Sequence, residues 1–148
     1  MNLNNILYFA YGSNMNRGQM HKRCPGSEFK CRAFLQDYEF VFDGYSKNWG
    51  GSVANIVQKN GNVVEGVIFK ITKSDLGSLD RFEGEGSVYD RVELTVMDNE
   101  ARNIQVYVYK RTGQKIGKPS ESYRNTIIIG ACECELSQGY IKKFLSAV

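Results

Sequence analysis

The chain has 148 residues, of which 42% are hydrophobic and 24% charged, and its formal net charge is +3 at pH 7. This length suits a single core, so we expect residues 1–148 to form one domain, and the scattered charges argue against nucleic acid as a partner. No apolar run reaches the length of a membrane span and the N-terminus lacks a secretory signal pattern, so we expect a cytoplasmic protein with no membrane partner.

The first predicted element is a strand over residues 6–11, whose apolar and aromatic run stops at Gly12. Gly12 can adopt a positive φ or let the backbone approach a ligand closely. Ser13, Asn14 and Asn16 are favourable N-cap residues, so a short helix should follow. A glycine turn at a helix start leaves backbone N–H groups without partners, which suits a carboxylate or phosphate. The same pattern also occurs in domains that bind no ligand, so both interpretations stay open.

The next part of the chain is predicted to form strands connected by turns. The expected strands cover residues 30–43, 52–58 and 63–71, with a glycine-rich loop over 44–51. Asn60-Gly61 is a strong signal for a hairpin turn, so it predicts that the second and third of these strands pair with each other.

A helix is predicted over residues 72–83. Thr72 suits the N-cap position and Asp75 places an acidic residue in the first turn. Asp80 and Glu85 are candidates for a functional acid, but we expect Asp80 to have a structural role.

Glu83 interrupts the apolar face of this helix. Leu76, Leu79 and Glu83 lie on one face, which the two leucines mark as buried. Burial raises the pKa of a carboxyl group, so Glu83 could accept and donate a proton near neutral pH. The alternative is an exposed glutamate that pairs with Arg81 or Arg91.

The remaining elements are two strands and two helices. The strands are expected over residues 88–97 and 104–109, and the helices begin after the predicted N-caps Ser120 and Ser137. Most strands alternate in polarity and are joined by short turns. We therefore predict an α+β fold, with a small mixed, mostly antiparallel β-barrel and flanking α-helices.

The spacing of the four cysteines does not match common zinc sites; they are Cys24, Cys31, Cys132 and Cys134. A cluster of His21 with Cys24 and Cys31 is conceivable, and a thiol-based redox or metal protein is one alternative class of function. We predict instead that there is no metal and that the thiols are reduced. A serine hydrolase is disfavoured, because the chain has one histidine and no Gly-x-Ser-x-Gly motif.

The segment Tyr8–Met15 resembles the opening signature of the γ-glutamylcyclotransferase family. Further segments are similar to that family in the same order and cover most of residues 6–131: Trp49–Ile56, Glu65–Phe69, Leu79–Gly84 and Pro119–Ala131. The resemblance implies a small mixed barrel with helices outside it and an active cavity at the barrel mouth.

The resemblance also implies the site and its chemistry. Glu83 matches the family's catalytic glutamate, a general acid/base for ring closure of a γ-glutamyl group to 5-oxoproline with release of an amine. The expected substrate-binding residues are Tyr8, Phe9, Ala10, Tyr11, Gly12, Ser13, Asn14, Tyr89 and Tyr123. The reaction requires no cofactor, and we expect a small-molecule γ-glutamyl substrate and a monomer or homodimer. A non-catalytic ligand-binding or interaction module on the same barrel is the alternative.

The sequence does not identify the leaving amine. The resemblance is compatible with three kinds of leaving group: an α-amino acid, a lysine-type amine or an antibiotic intermediate. We expect the loops 44–51 and 111–118 to contact the leaving group. Arg81 and Phe82 precede Glu83, where the family pattern has polar residues.

Overall fold

The computed structural model describes residues 6–84 and 89–145, apart from the side chain of Phe144. Glu85, the start of the strand predicted from residue 88 and the end of the last predicted helix lie outside these residues. The strands are β1 (Ile6–Ala10), β2 (Glu28–Ser46), β3 (Gly51–Ile71), β4 (Asp90–Asp98) and β5 (Asn103–Lys110). The helices are α1 (Arg17–Arg23), α2 (Lys73–Gly84), α3 (Glu121–Glu133) and α4 (Gln138–Tyr140), and α4 continues into a π-helical turn at Ile141–Leu145.

The five strands form a closed barrel in the order β1-β3-β2-β4-β5. Strands β1 and β5 close it in parallel, with Tyr8 opposite Tyr107, and the other neighbours are antiparallel. The predicted mixed, mostly antiparallel barrel with flanking helices is therefore confirmed. Each helix of the described residues is too short or too polar to span a membrane.

The predicted hairpin at Asn60-Gly61 is wrong. Gln58 lies opposite Tyr38 and Val63 lies opposite Gln36, so both flanking segments pair with β2 and the chain continues in one direction as β3. The four residues between them form a bulge, in which Gly61 has a φ of +88°. The Asn-Gly pair therefore provides the positive φ of a bulge instead of a turn between two strands.

The helix starts agree with the local sequence signals. Asn16 caps α1 by accepting from the N–H of Gln19. Thr72 and Asp75 bond reciprocally, since each side chain accepts from the other's backbone N–H at 3.0–3.1 Å. Ser120 and Ser137 cap α3 and α4, as predicted.

Helix α3 fixes the turn that follows β1. A Cβ added at Gly130 would lie 2.3 Å from the backbone N of Asn16, so only glycine allows this close approach of helix and turn. Met15 and Ile127 are completely buried in the core. The turn between β1 and α1 is thus packed between the barrel and α3.

Candidate active site

A cavity of about 320 Å³ opens at one end of the barrel. It is lined by residues from β1 and the following turn, from the end of β2 and the loop after it, from β3 and β5, from α1, α2 and α3, and from the segment before β4. The lining residues are Tyr8, Tyr11, Gly12, Ser13, Asn14, Arg23, Ser46, Asn48, Trp49, Val53, Ala54, Phe82, Glu83, Tyr89, Tyr109 and Tyr123.

Glu83 directs its carboxylate into this cavity. Its Oε1 accepts a hydrogen bond of 3.4 Å from Nδ2 of Asn14. The alternative of a surface ion pair is wrong, because Arg91 pairs with Asp80 at 2.7 Å and Arg81 donates to Ser78. Asp80 does not line the cavity. Its carboxylate binds Arg91 and accepts from the Tyr109 hydroxyl.

The surroundings of Glu83 raise the pKa of its carboxyl group to about 7. Burial is the main cause, because it removes the charged form from water. The positive charges of Arg23 and Arg111 oppose this effect and limit the shift. Near neutral pH the group therefore exists in both protonation states, as proton transfer in both directions requires.

Asn14 connects the charged groups of the cavity. Its Nδ2 also donates to Oη of Tyr8 at 2.9 Å. Its Oδ1 accepts from Nη1 of Arg23 and from Nε2 of Gln19, both at 3.1 Å. The buried amide is thus held in one orientation, with its N–H groups towards Glu83 and Tyr8.

Two tyrosines bind the same residue of β3. The backbone N–H of Ala54 donates to Oη of Tyr123 at 2.9 Å, and Oη of Tyr89 donates to the carbonyl of Ala54 at 2.6 Å. Tyr123 therefore keeps its own hydroxyl hydrogen for another acceptor. Burial raises the pKa of both phenols, so both stay protonated at neutral pH.

The turn after β1 forms a short 3₁₀-helix at Ser13–Met15. Gly12 has a φ of −120°, so a positive φ is not the reason for glycine at this position. A Cβ there would lie 3.2 Å from the Cβ of Ala54 and 3.9 Å from Oη of Tyr123. Close packing against the opposite wall of the cavity is therefore the reason. The hydrogen bonds within the described residues do not use the backbone N–H groups of Gly12, Ser13 or Asn14 as donors.

The predicted site residues do not all reach the cavity. Tyr8, Tyr89, Tyr123 and residues 11–14 line it, but Phe9 and Ala10 do not. Both are completely buried and pack against β3, where a Cβ added at Gly66 would lie 2.7 Å from the Phe9 ring and 2.4 Å from the carbonyl oxygen of Ala10. This corrects the expectation that the whole segment from residue 8 to residue 14 borders the site.

Only one of the two loops that were expected to contact a leaving group lines the cavity. Ser46, Asn48 and Trp49 of the first loop line the cavity, whereas the segment 111–118 does not. Sequence reasoning missed Arg23 as a lining residue, because its position depends on the packing of α1 against the cavity. Phe82 also lines the cavity, whereas the sequence indicates only that it departs from the family pattern.

Arg111 contacts Tyr89 but does not line the cavity. Its guanidinium carbon is 4.6 Å from the centroid of the Tyr89 ring, and its Nη2 forms a buried ion pair with Asp43. Asn55 accepts from the backbone N–H of Arg111 and donates to Asp43 at 3.1 Å. This network holds Arg111 in place against the Tyr89 ring.

No group of three or more metal-ligating side chains occurs in residues 6–84 and 89–145. The four cysteines are free thiols. Cys24 and Cys134 are buried, and burial raises the pKa of Cys24 to about 12, so this thiol stays protonated.

Comparison with known proteins identifies the family. A family model described as gamma-glutamyl cyclotransferase, AIG2-like, matches residues 8–125, which include the glycine turn, Glu83, Tyr89 and Tyr123. The chain belongs to the γ-glutamyl cyclotransferase family. It is therefore an enzyme of that family, and the resemblance seen in the sequence is confirmed.

Individual members of the γ-glutamyl cyclotransferase family match nearly the whole chain. Mouse gamma-glutamylcyclotransferase is 38% identical over 143 residues, which cover 93% of this chain and 76% of the relative. A solved structure of a gamma-glutamyl cyclotransferase is 37% identical with a TM-score of 0.90, covering 97% of this chain and 87% of that chain. The YkqA structure from Bacillus subtilis is 26% identical with a TM-score of 0.78, covering 93% and 52%.

Proposed function

We propose that this enzyme converts γ-glutamyl compounds to 5-oxoproline and a free amine or amino acid, with Glu83 as general acid/base. The observation that supports this most directly is a carboxyl group with a pKa of about 7 on the wall of a cavity that the Gly12 turn also borders. Ring closure requires a group that removes one proton and later returns one, and Glu83 is suited to both steps.

The reaction is an intramolecular aminolysis. The α-amino group of the substrate is mostly protonated at neutral pH, so it must lose a proton before it can attack. The Glu83 carboxylate accepts this proton. The amine nitrogen then attacks the γ-carbonyl carbon, and a five-membered ring forms with a negative charge on the carbonyl oxygen. When the bond to the distal nitrogen breaks, that nitrogen takes the proton from Glu83. The positively charged ring nitrogen then passes its second proton through the same carboxylate to the released amine, which departs as ammonium and leaves a neutral lactam. The carboxylate is restored and water is not consumed.

The Gly12 turn suits an anionic oxygen of the substrate, either the α-carboxylate or the oxyanion that forms during ring closure. The backbone N–H groups of residues 12–14 donate to no acceptor of the described chain, and these residues line the cavity. The hydroxyl hydrogen of Tyr123 lies beside the same turn, because Oη of Tyr123 is 3.9 Å from a Cβ placed on Gly12. Donors held in advance around such an oxygen stabilise the transition state.

Direct measurement of the product tests the proposal. Purified protein with a chelator present is incubated with γ-glutamyl dipeptides and γ-glutamylamines, and 5-oxoproline is measured by mass spectrometry. We expect release from at least one class of substrate, which would also identify the leaving amine. The absence of 5-oxoproline with every compound, although the same compounds raise the melting temperature, would instead support a binding module.

Replacing Gly12 with alanine should weaken binding of a γ-glutamyl dipeptide about tenfold, because the added Cβ crowds Ala54 and displaces the turn. Binding is measured by titration calorimetry in a Glu83→Gln background, in which turnover does not interfere. Gly77→Ala is the matched control, since a Cβ at Gly77 of α2 has no atom within 4 Å. An unchanged Kd for Gly12→Ala would contradict the role given to the turn.

A further inference from the structure

Phe82 is a large apolar side chain that is exposed at the wall of the cavity. It precedes Glu83 on α2 and is 43% exposed, although most aromatic residues of this site are buried. The guanidinium carbon of Arg23 lies 4.6 Å from the centroid of the Phe82 ring. This cation–π contact restrains the ring, whose remaining surface is in contact with water.

The cavity has a buried end and an open end. Tyr8, Tyr11 and Tyr123 are at most 6% exposed and enclose one end together with the Gly12 turn. Phe82 and Asn48 are exposed lining residues, and Trp49 and Arg23 are half-buried. A γ-glutamyl group, which is common to all substrates of the proposed reaction, fits the buried end, and the leaving group then extends towards the open end.

Glu83 determines where the leaving nitrogen must lie. The nitrogen takes its proton from the Glu83 carboxyl group, so it must approach this group within hydrogen-bonding distance. Phe82 and Glu83 both line the cavity, and Arg23 is linked to Glu83 through two of the hydrogen bonds of Asn14. A substituent on the leaving nitrogen therefore passes beside the pair formed by Phe82 and Arg23.

We propose that Phe82 is a specificity-determining residue that favours leaving amino acids with a bulky apolar side chain. This inference rests on the proposed function, because it concerns the group that departs from the γ-glutamyl carbonyl. Such a side chain would cover the exposed face of the ring and remove apolar surface from water. Arg23 places a positive charge beside the ring, which also suits the carboxylate of an amino acid.

The test compares γ-glutamyl-phenylalanine with γ-glutamyl-alanine, which share the glutamyl group and a leaving carboxylate. We expect kcat/KM to be about tenfold higher for the phenylalanine compound, the size of effect that a single apolar contact provides. In Phe82→Ala this ratio should fall to nearly one, whereas Phe82→Leu should retain part of it. Ile129→Ala, which removes another exposed apolar side chain on α3 (52% exposed), should keep the ratio of the wild type.

The outcomes separate the two proposals. Equal kcat/KM for both dipeptides in the wild type would overturn the role of Phe82 and leave the cyclotransferase reaction in place. A parallel loss for both dipeptides in Phe82→Ala, with the ratio retained, would also overturn it and indicate a positioning role. If neither dipeptide releases 5-oxoproline while the γ-glutamylamines also fail, the proposed function is wrong and the inference is wrong with it.

Discussion

Replacing Glu83 with glutamine should lower kcat for γ-glutamyl substrates by about 10²–10⁴-fold, the usual contribution of general acid–base catalysis. Glutamine has nearly the same shape and can still accept the hydrogen bond from Asn14, but it cannot take up and return a proton. The rate of 5-oxoproline release measures the effect, and the melting temperature shows whether the variant is folded. Glu93→Gln is the matched control, since Glu93 is an exposed glutamate of β4 that does not line the cavity.

The pH profile tests the same assignment without removing the carboxyl group. Glu83 must be ionised in the free enzyme to act as a base, so kcat/KM should fall as the pH drops below about 7. The charged groups that influence Glu83 are Arg23 and Arg111, which both lower its pKa. Arg23→Gln should therefore move the acid limb to higher pH. A near wild-type rate for Glu83→Gln, or a profile that is flat between pH 5 and 8, would contradict the assignment.

Replacing Asp43 with asparagine should destabilise the fold by about 3–5 kcal/mol, because Arg111 would keep a buried charge without its counter-ion. The Asp43 side chain is 1% exposed, and it also accepts from Asn55 and from the backbone N–H of Gln114. Denaturant unfolding measures the change in the free energy of unfolding. Removing both charges, in Asp43→Asn with Arg111→Met, should cost less than Asp43→Asn alone.

An exposed ion pair provides the control for this prediction. Glu100 pairs with Arg102 at 3.1 Å, and the two side chains are 68% and 70% exposed, so Glu100→Gln should change the free energy of unfolding by at most about 1 kcal/mol. If Asp43→Asn costs no more than this control, the buried pair does not stabilise the fold in the way described.

The features that could be predicted from the sequence depend on neighbours in the chain. The helix caps at Asn16 and Thr72 need only hydrogen bonds across three residues, so the local residue types are sufficient. The spacing of Glu83 to two leucines on one helix indicates an inward direction but leaves an exposed ion pair open, and the resemblance to the family favours the inward position. The misplaced hairpin at Asn60-Gly61 shows the limit of such signals. The same positive φ serves a turn or a bulge, and the choice depends on how β2 pairs with both flanking segments.

The parts of the site that could not be predicted depend on tertiary packing. Arg23 enters the cavity because α1 folds back against the end of α2, and no periodic pattern of residues 17–23 indicates this contact. Arg111 follows a strand with ordinary alternation, and its ion pair partner Asp43 is 68 residues away in the chain. Both arginines influence the pKa of Glu83, so sequence reasoning identified the acid/base candidate but missed what adjusts its proton affinity.

The hydrogen bonds of two tyrosine hydroxyl groups to the backbone of Ala54 also have a consequence for the behaviour of the protein in concentrated solution. Strand β1 pairs with β3 only from Val67 to Ile71, so around Ala54 the backbone on that side of β3 is an unpaired strand edge among the described strands. Unpaired edges of this kind can template strand exchange between molecules and aggregation. Because Tyr89 and Tyr123 occupy the N–H and the carbonyl of Ala54, the residues that form the cavity wall also protect this edge from pairing with another chain.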